Sequence, residues 1–362
     1  MTSTARPGPG VDGTDVVMGP TGRGGPQTPF EADITAQPDA LRAFAQAPAA
    51  AELTGLLRRP YDRIVLTGMG SSHFAALPTW RRLIAAGHPA WWVDSGQLLD
   101  ASHLITDDTL LVVTSQSGAS GEVVALLDVL QQEQHLATVI GITNDAASPL
   151  ASRAAGFIAL HSGPEATVST KSYLNTLAAQ QQLGCLLTGT PADELADTAE
   201  AVAAVTATAV VDDIAAEFAA TPTARLVFVG FADHAATALY AGLITKEAAK
   251  VPAEGYIGGQ FRHGPLELAG PGLVAVLFTG GHPPADSPRQ LATDLLAAGS
   301  TVLTVGDLGV PGAIQLTAPT ATLLSQLATG AVAAQHLTVA LARARHITPG
   351  AFGYGRKVTT AL

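Results

Sequence analysis

The sequence predicts an α/β protein built from two tandem, doubly wound parallel sheets of flavodoxin-like type, each flanked by helices. Three observations predict it. Short apolar runs alternate with stretches of helical spacing along most of the chain. The apolar runs end in turns rich in Gly, Ser and Thr. Three of those strand ends, near Leu66, Val113 and Ile142, recur near Val229, Phe278 and Val305, an offset of roughly 160 residues that implies internal duplication.

The elements follow in order. Residues 1–28 are rich in Gly, Pro, Thr and Ser without a hydrophobic period and read as a disordered tail. Order is expected to begin near Phe30, with helical spacing over 31–47. A strand at 63–66 leads into Gly68-Met69-Gly70-Ser71-Ser72 and a helix to residue 83. Strands follow at 90–93, 110–113, 138–142 and 156–160, with a helix at 122–133 and a long helix at 170–187. A helical stretch over 192–219 separates the halves. The pattern restarts with strands at 225–229, 273–278 and 301–305 and a helix over 234–250. The organisation expected is a first domain over 29–190, a second over 191–345, and a C-terminal tail over 346–362 that closes over the site.

Bulk numbers bound the function. The 362 residues suffice for two α/β domains, and 47% apolar content buries a large core. Nineteen basic against thirty acidic residues give a net charge of −11, which argues against nucleic-acid binding but not against a small anion held by backbone N–H groups. Cys185 is the only cysteine, so no internal disulfide and no Cys-rich metal site is expected, and no metal or other cofactor is invoked. No apolar run reaches membrane-spanning length and no signal-peptide pattern opens the chain, so a cytoplasmic protein without membrane contact is expected.

Four segments carry candidate chemistry. Ser115-Gln116-Ser117-Gly118-Ala119-Ser120 lies between a buried strand and a helix, where free N–H groups and the helix dipole favour an anion. Ser71 and Ser72 follow the first strand, and Ser169 and Thr170 precede the long helix. Each loop alone reads as helix capping; three converging hydroxyl loops point to a phosphate site. The corresponding loop of the second half, Thr279-Gly280-Gly281-His282-Pro283, has largely lost the hydroxyls, so one anion site per chain is expected. In the second half, Leu239, Leu243 and Glu247 share a helix face, so Glu247 is a candidate general base whose pKa desolvation would raise. The plainer reading is a Glu that reaches solvent or pairs with Lys246 or Lys250. His263, set between glycines and Pro265, suits sugar ring opening or a purely structural role. Near the C-terminus, Arg356 and Lys357 offer a phosphate clamp and an imine-forming amine, or simply a solvated basic tail.

Taken together, Gly68-Met69-Gly70-Ser71-Ser72, Ser115-Gln116-Ser117-Gly118 and Val168-Ser169-Thr170-Lys171 resemble, in order, the signature loops of the SIS (sugar isomerase) family. Lys246-Glu247, Ala253-Glu254-Gly255-Tyr256 and His263-Gly264-Pro265-Leu266 resemble the isomerase domain of glucosamine-6-phosphate synthase, as does Ala36-Gln37-Pro38. The resemblance covers about residues 31–362. It implies two SIS domains, usually in a homodimer with the active site near the subunit interface. It implies phosphate held at Ser72, Ser115, Gln116, Ser117, Ser120 and Ser169. Glu247 would move a proton between sugar C1 and C2, and His263 would open the ring, often across the interface. A C-terminal lysine forms an imine in the synthase; here either Arg356 or Lys357 aligns with it.

Departures narrow the activity. The sequence has no glutaminase domain with its nucleophilic N-terminal Cys, so glutamine is not expected to supply nitrogen. Ile244 stands where the family has a lysine one turn before the glutamate, and Pro164-Glu165 resembles stand-alone deaminase relatives. The expected activity is a phosphosugar isomerase/deaminase, of glucosamine-6-phosphate deaminase type. The alternatives are a deglycase of Amadori-type sugar phosphates, an isomerase of another anionic sugar, or a non-catalytic phosphosugar sensor.

Overall fold

A computed structural model describes residues 26–47, 51–193, 195–280, 286–317 and 321–360. The expected disordered tail lies, through residue 25, outside the described residues. Near the start of the described residues, Thr28 and Glu31 form a reciprocal capping box on the helix Pro29–Thr35.

Among the described residues, ten strands form two five-stranded, wholly parallel sheets. The first contains β1 (Arg63–Gly68), β2 (Ala90–Trp92), β3 (Thr109–Thr114), β4 (Thr138–Thr143) and β5 (Gly156–Ala159), in the order β2-β1-β3-β4-β5. The second contains β6 (Arg225–Gly230), β7 (Ala253–Ile257), β8 (Leu273–Phe278), β9 (Thr301–Val305) and β10 (Ile314–Gln315), in the order β10-β9-β8-β6-β7. Read from each unit's first strand, both orders are 2-1-3-4-5. The duplication suggested by the 160-residue offset is therefore a repeat of topology.

The central strands β3, β4 and β8 are buried at every residue, as expected for sheets covered on both faces. One hydrophobic core runs through both units and includes Leu66 and Val112 of the first sheet with Phe228 and Val276 of the second. The seam between the units is formed largely by the helix Ala235–Ala249, which is apolar around most of its circumference. It contacts Gly70–Ala75 of the first unit and Leu323–Ala344 of its own. Across the seam Tyr173 and Tyr240 stack at 3.7 Å, and Arg81 pairs with Asp233 at 3.0 Å.

Several expected helices are broken, each for a local reason. The 31–47 stretch divides at Ala36 because Pro38 lacks an N–H to donate into the preceding turn. The helix after β1 divides at Ala76, ahead of Pro78. The 192–219 stretch becomes Leu195–Ala203 and Ala209–Ala220, with Thr208 extended between them; Val205, Thr206 and Thr208 are β-branched and weak helix formers.

Candidate active site

In an open parallel sheet, ligands bind beyond the carboxyl ends of the strands where the strand order reverses, here between β1 and β3. A cavity of about 320 Å³ opens at that point. Met69, Gly70, Ser71 and Ser72 reach it from the end of β1. Thr114, Ser115, Gln116, Ser117 and Ser120 reach it from the end of β3, and Thr167, Val168 and Ser169 from the turn after β5.

The 115–120 loop is fixed by its own bonds. Ser115 N–H donates to Ile142 O at 3.0 Å, Gly118 N–H donates to Ser115 O at 3.0 Å, and the Ser115 and Ser120 hydroxyls are 2.9 Å apart. Ser120 is the N-cap of the helix Gly121–Gln132 and places no side-chain bond on it. The positive end of that helix therefore faces the cavity. Gly118 has φ +61, and a Cβ there would fall 2.1 Å from Ser148 Oγ. Gly118 is thus needed for the loop's own packing against Ser148.

The second unit delivers the acid–base candidate. Leu243 and Glu247 project from the seam helix into the same cavity, with Leu243 Cδ2 3.5 Å from where a Cβ on Gly70 would lie. Burial pushes the Glu247 carboxyl above its ordinary value, opposed by the charges of Lys357, Lys250 and Lys246. The pairings expected from pattern alone take another form: Lys246 meets Glu254 at 3.7 Å, and the Lys250 ammonium donates to the carbonyls of Glu247 and Ala351.

The C-terminal segment completes the wall with Phe352, Arg356, Lys357, Val358 and Thr359. Thr359 O accepts from Gly121 N–H at 3.0 Å, so the segment touches the helix end beneath the anion loop.

Ten of the residues singled out in the sequence thus line one cavity: Ser71, Ser72, Ser115, Gln116, Ser117, Ser120, Ser169, Glu247, Arg356 and Lys357. His263 does not. It is exposed, caps the 3₁₀ turn Gly258–Arg262, and donates its backbone N–H to Gln260 O at 3.0 Å. Among the described residues, no group of three His, Cys, Asp or Glu side chains is placed to hold a metal ion, and no helix is long and apolar enough to cross a membrane.

Two supporting residues had no role in the sequence reading. Tyr240, wholly buried in the seam, donates its hydroxyl to Ser169 O at 2.6 Å and accepts from Gln335 at 2.8 Å. Glu165 lies behind the cavity wall and binds both Lys357 and the start of the helix Lys171–Thr188. In sequence it stands out only as part of Pro164-Glu165, ahead of the Ser169 loop, a resemblance to stand-alone deaminase relatives that gives it no role. Lys171, from the same motif as Ser169, turns away to pair with Asp33 at 2.8 Å and ties the first helix to this turn.

The SIS domain family matches residues 57–186. This segment is a SIS domain. It spans the first sheet and the hydroxyl loops of the cavity. The chain is 28% identical over 288 residues to a glutamine–fructose-6-phosphate aminotransferase [isomerizing] of Pyrococcus horikoshii, covering 76% of this chain and 47% of that protein. It is 31% identical over 226 residues to the enzyme of that name from Staphylococcus aureus, covering 59% and 37%. The chain spans less than half the length of these curated relatives. In fold it is similar to the C-terminal domain of a glucosamine-fructose-6-phosphate aminotransferase from Francisella tularensis, with TM-score 0.77, 19% identity, and coverage of 89% of this chain and 97% of that one. It is also similar to a glucosamine-6-phosphate deaminase from Thermotoga maritima, with TM-score 0.70, 22% identity, and coverage of 92% and 99%. The tandem parallel sheets around the SIS domain are thus the architecture of phosphosugar isomerase folds.

Proposed function

We propose that this protein is a phosphosugar isomerase/deaminase that converts an amino-aldose phosphate of the glucosamine 6-phosphate type into a ketose phosphate and ammonia. The observation that carries this reading is the meeting of two unlike parts in one cavity. Hydroxyls and a helix N-terminus from the SIS domain suit a phosphate, and a desolvated carboxylate from the second unit suits proton transfer at carbon.

The steps follow from those groups. Ser72, Ser115, Gln116, Ser117, Ser120 and Ser169 hold the phosphate. Glu247 takes the C2 proton of the open-chain aldehyde, while Lys357 offers N–H groups to O1, giving an enolamine. Glu247 returns the proton to C1, which leaves a C2 imine. Water adds to that imine and ammonia departs. A phosphate-binding cavity retaining a general base favours an enzyme over a sensor.

His263 lies outside the cavity of its own chain, and this reading assigns ring opening to His263 from a second copy in a homodimer. A phosphorylated sugar as substrate and a single buried, free cysteine suit a cytoplasmic enzyme. The test is the release of ammonia and fructose 6-phosphate from glucosamine 6-phosphate, with Glu247→Gln as the control. Absence of both products from the unaltered protein would overturn the reading.

A further inference from the structure

The side chain of Glu165 is 0% exposed, yet it carries a charge. Burying a carboxylate is unfavourable unless every oxygen is satisfied. Here both oxygens are. Oε1 accepts from Thr170 N–H at 2.7 Å, the Thr170 hydroxyl at 3.0 Å and Ser172 N–H at 3.1 Å. Oε2 accepts from the Ser172 hydroxyl at 2.6 Å and from Lys357 Nζ at 2.6 Å. Burial raises the carboxyl, but Lys357 and the other donors outweigh it, and the group sits below its ordinary value.

Two parts of the site meet at this one side chain. The turn held by Oε1 carries Ser169, and the cation held by Oε2 belongs to the C-terminal segment. Among the described residues that segment is otherwise held by Gly350 N–H on Ala248 O, Gly121 N–H on Thr359 O, Lys250 on Ala351 O with its ammonium 5.9 Å from the Phe352 ring, and the packing of Phe352 against the core. Lys357 is also the charge that most opposes the effect of burial on Glu247, so its position bears on the reacting end of the cavity.

We propose that Glu165 is a positioning residue of this site, acting through Lys357: it latches the C-terminal segment over the cavity and fixes Lys357 Nζ beside Glu247. This deepens the proposed function, but the latch itself exists without substrate.

The test has a ligand-free arm and a kinetic arm, both on the full chain. In the first, hydrogen exchange of residues 352–360 is followed in the unaltered protein, in Glu165→Gln, in Lys357→Met and in the double variant. Each single change is expected to speed exchange about a hundredfold, as loss of one partner from a buried pair implies. The double variant should be no faster than either single one. Lys357→Met, made at the more exposed end of the pair, should leave exchange over 165–172 unchanged; it decides the matter if Glu165→Gln does not fold. Unchanged exchange in Lys357→Met, or additive effects in the double variant, would overturn the latch.

In the second arm, glucosamine 6-phosphate is the probe. Glu165→Gln should lower kcat about tenfold with KM nearly unchanged, and should add nothing in a Lys357→Met background. A protein that shows the latch but does not turn over this sugar loses the proposed function only. Turnover in the unaltered protein, together with a Glu165→Gln loss confined to KM, overturns the positioning role only.

Discussion

The two sheet units share the strand order 2-1-3-4-5 but differ at the place where that order reverses. In the SIS domain the β1 and β3 loops leave an open cavity lined by hydroxyls. In the second unit, among the described residues, the matching point at Gly280 is occupied by the side chains of Gln326 and His234. A Cβ on Gly280, just after β8, would lie 2.2 Å from Gln326 Oε1 and 2.7 Å from His234 Nε2. The second unit instead sends Glu247 into its neighbour's cavity on the helix Ala235–Ala249. Under the proposed function, duplicated topology becomes division of labour: one copy would hold the anion, and the other would supply the base.

That comparison is broken most severely by removing the contribution that crosses the seam. Glu247→Gln is expected to lower kcat about 10²–10⁴-fold, the usual range for one general base, measured as ammonia release. Its stability should move the other way. A carboxyl whose folded pKa is raised stabilises the fold most below its unfolded value, near 4.3, and that contribution is lost as pH rises through the raised folded value. At neutral pH the charged form is a cost, so Glu247→Gln should raise the melting temperature.

The two crevices can then be compared by matched substitutions. Ser72→Ala should raise KM about tenfold, as expected for loss of a hydrogen bond to a charged group. Thr279→Ala, at the occupied crevice, should leave KM unchanged. An equal rise in both would mean that the second crevice also binds substrate.

Smaller effects sharpen the account. The acidic limb of the kcat/KM profile should lie above the ordinary carboxylate range, because Glu247 must be ionised to act and burial opposes ionisation. Lys357 favours the ionised form, so in Lys357→Met the limb should move to still higher pH. Tyr240→Phe removes the seam hydroxyl from Ser169 O, a loss of about 1 kcal/mol, and should raise KM a few-fold with kcat little changed.

Legibility in the sequence followed burial and period. The fully buried strands β3, β4 and β8 read as continuous apolar runs because both faces are covered. The strands β7 and β10 did not. β7 contains Glu254 and Gly255 and is mostly half-buried, and β10 is two residues long at a sheet edge. The hydroxyl loops were visible because turns between strand and helix are local in sequence. The role of Glu165 was not, because the cation that pairs with it, Lys357, is 192 residues away.

The sequence by itself determined the α/β class, the duplication, and the candidate residues for holding an anion or moving a proton. Those depend on period, side-chain chemistry and turns a few residues long. Only the tertiary structure decided which of them share a cavity. The seam helix turns Glu247 into the SIS domain, the Glu165 pair draws Lys357 over it, and His263 is left exposed on the far unit. Such placements depend on how buried surfaces pack across the seam, and side-chain packing between distant segments leaves no fixed spacing in the chain.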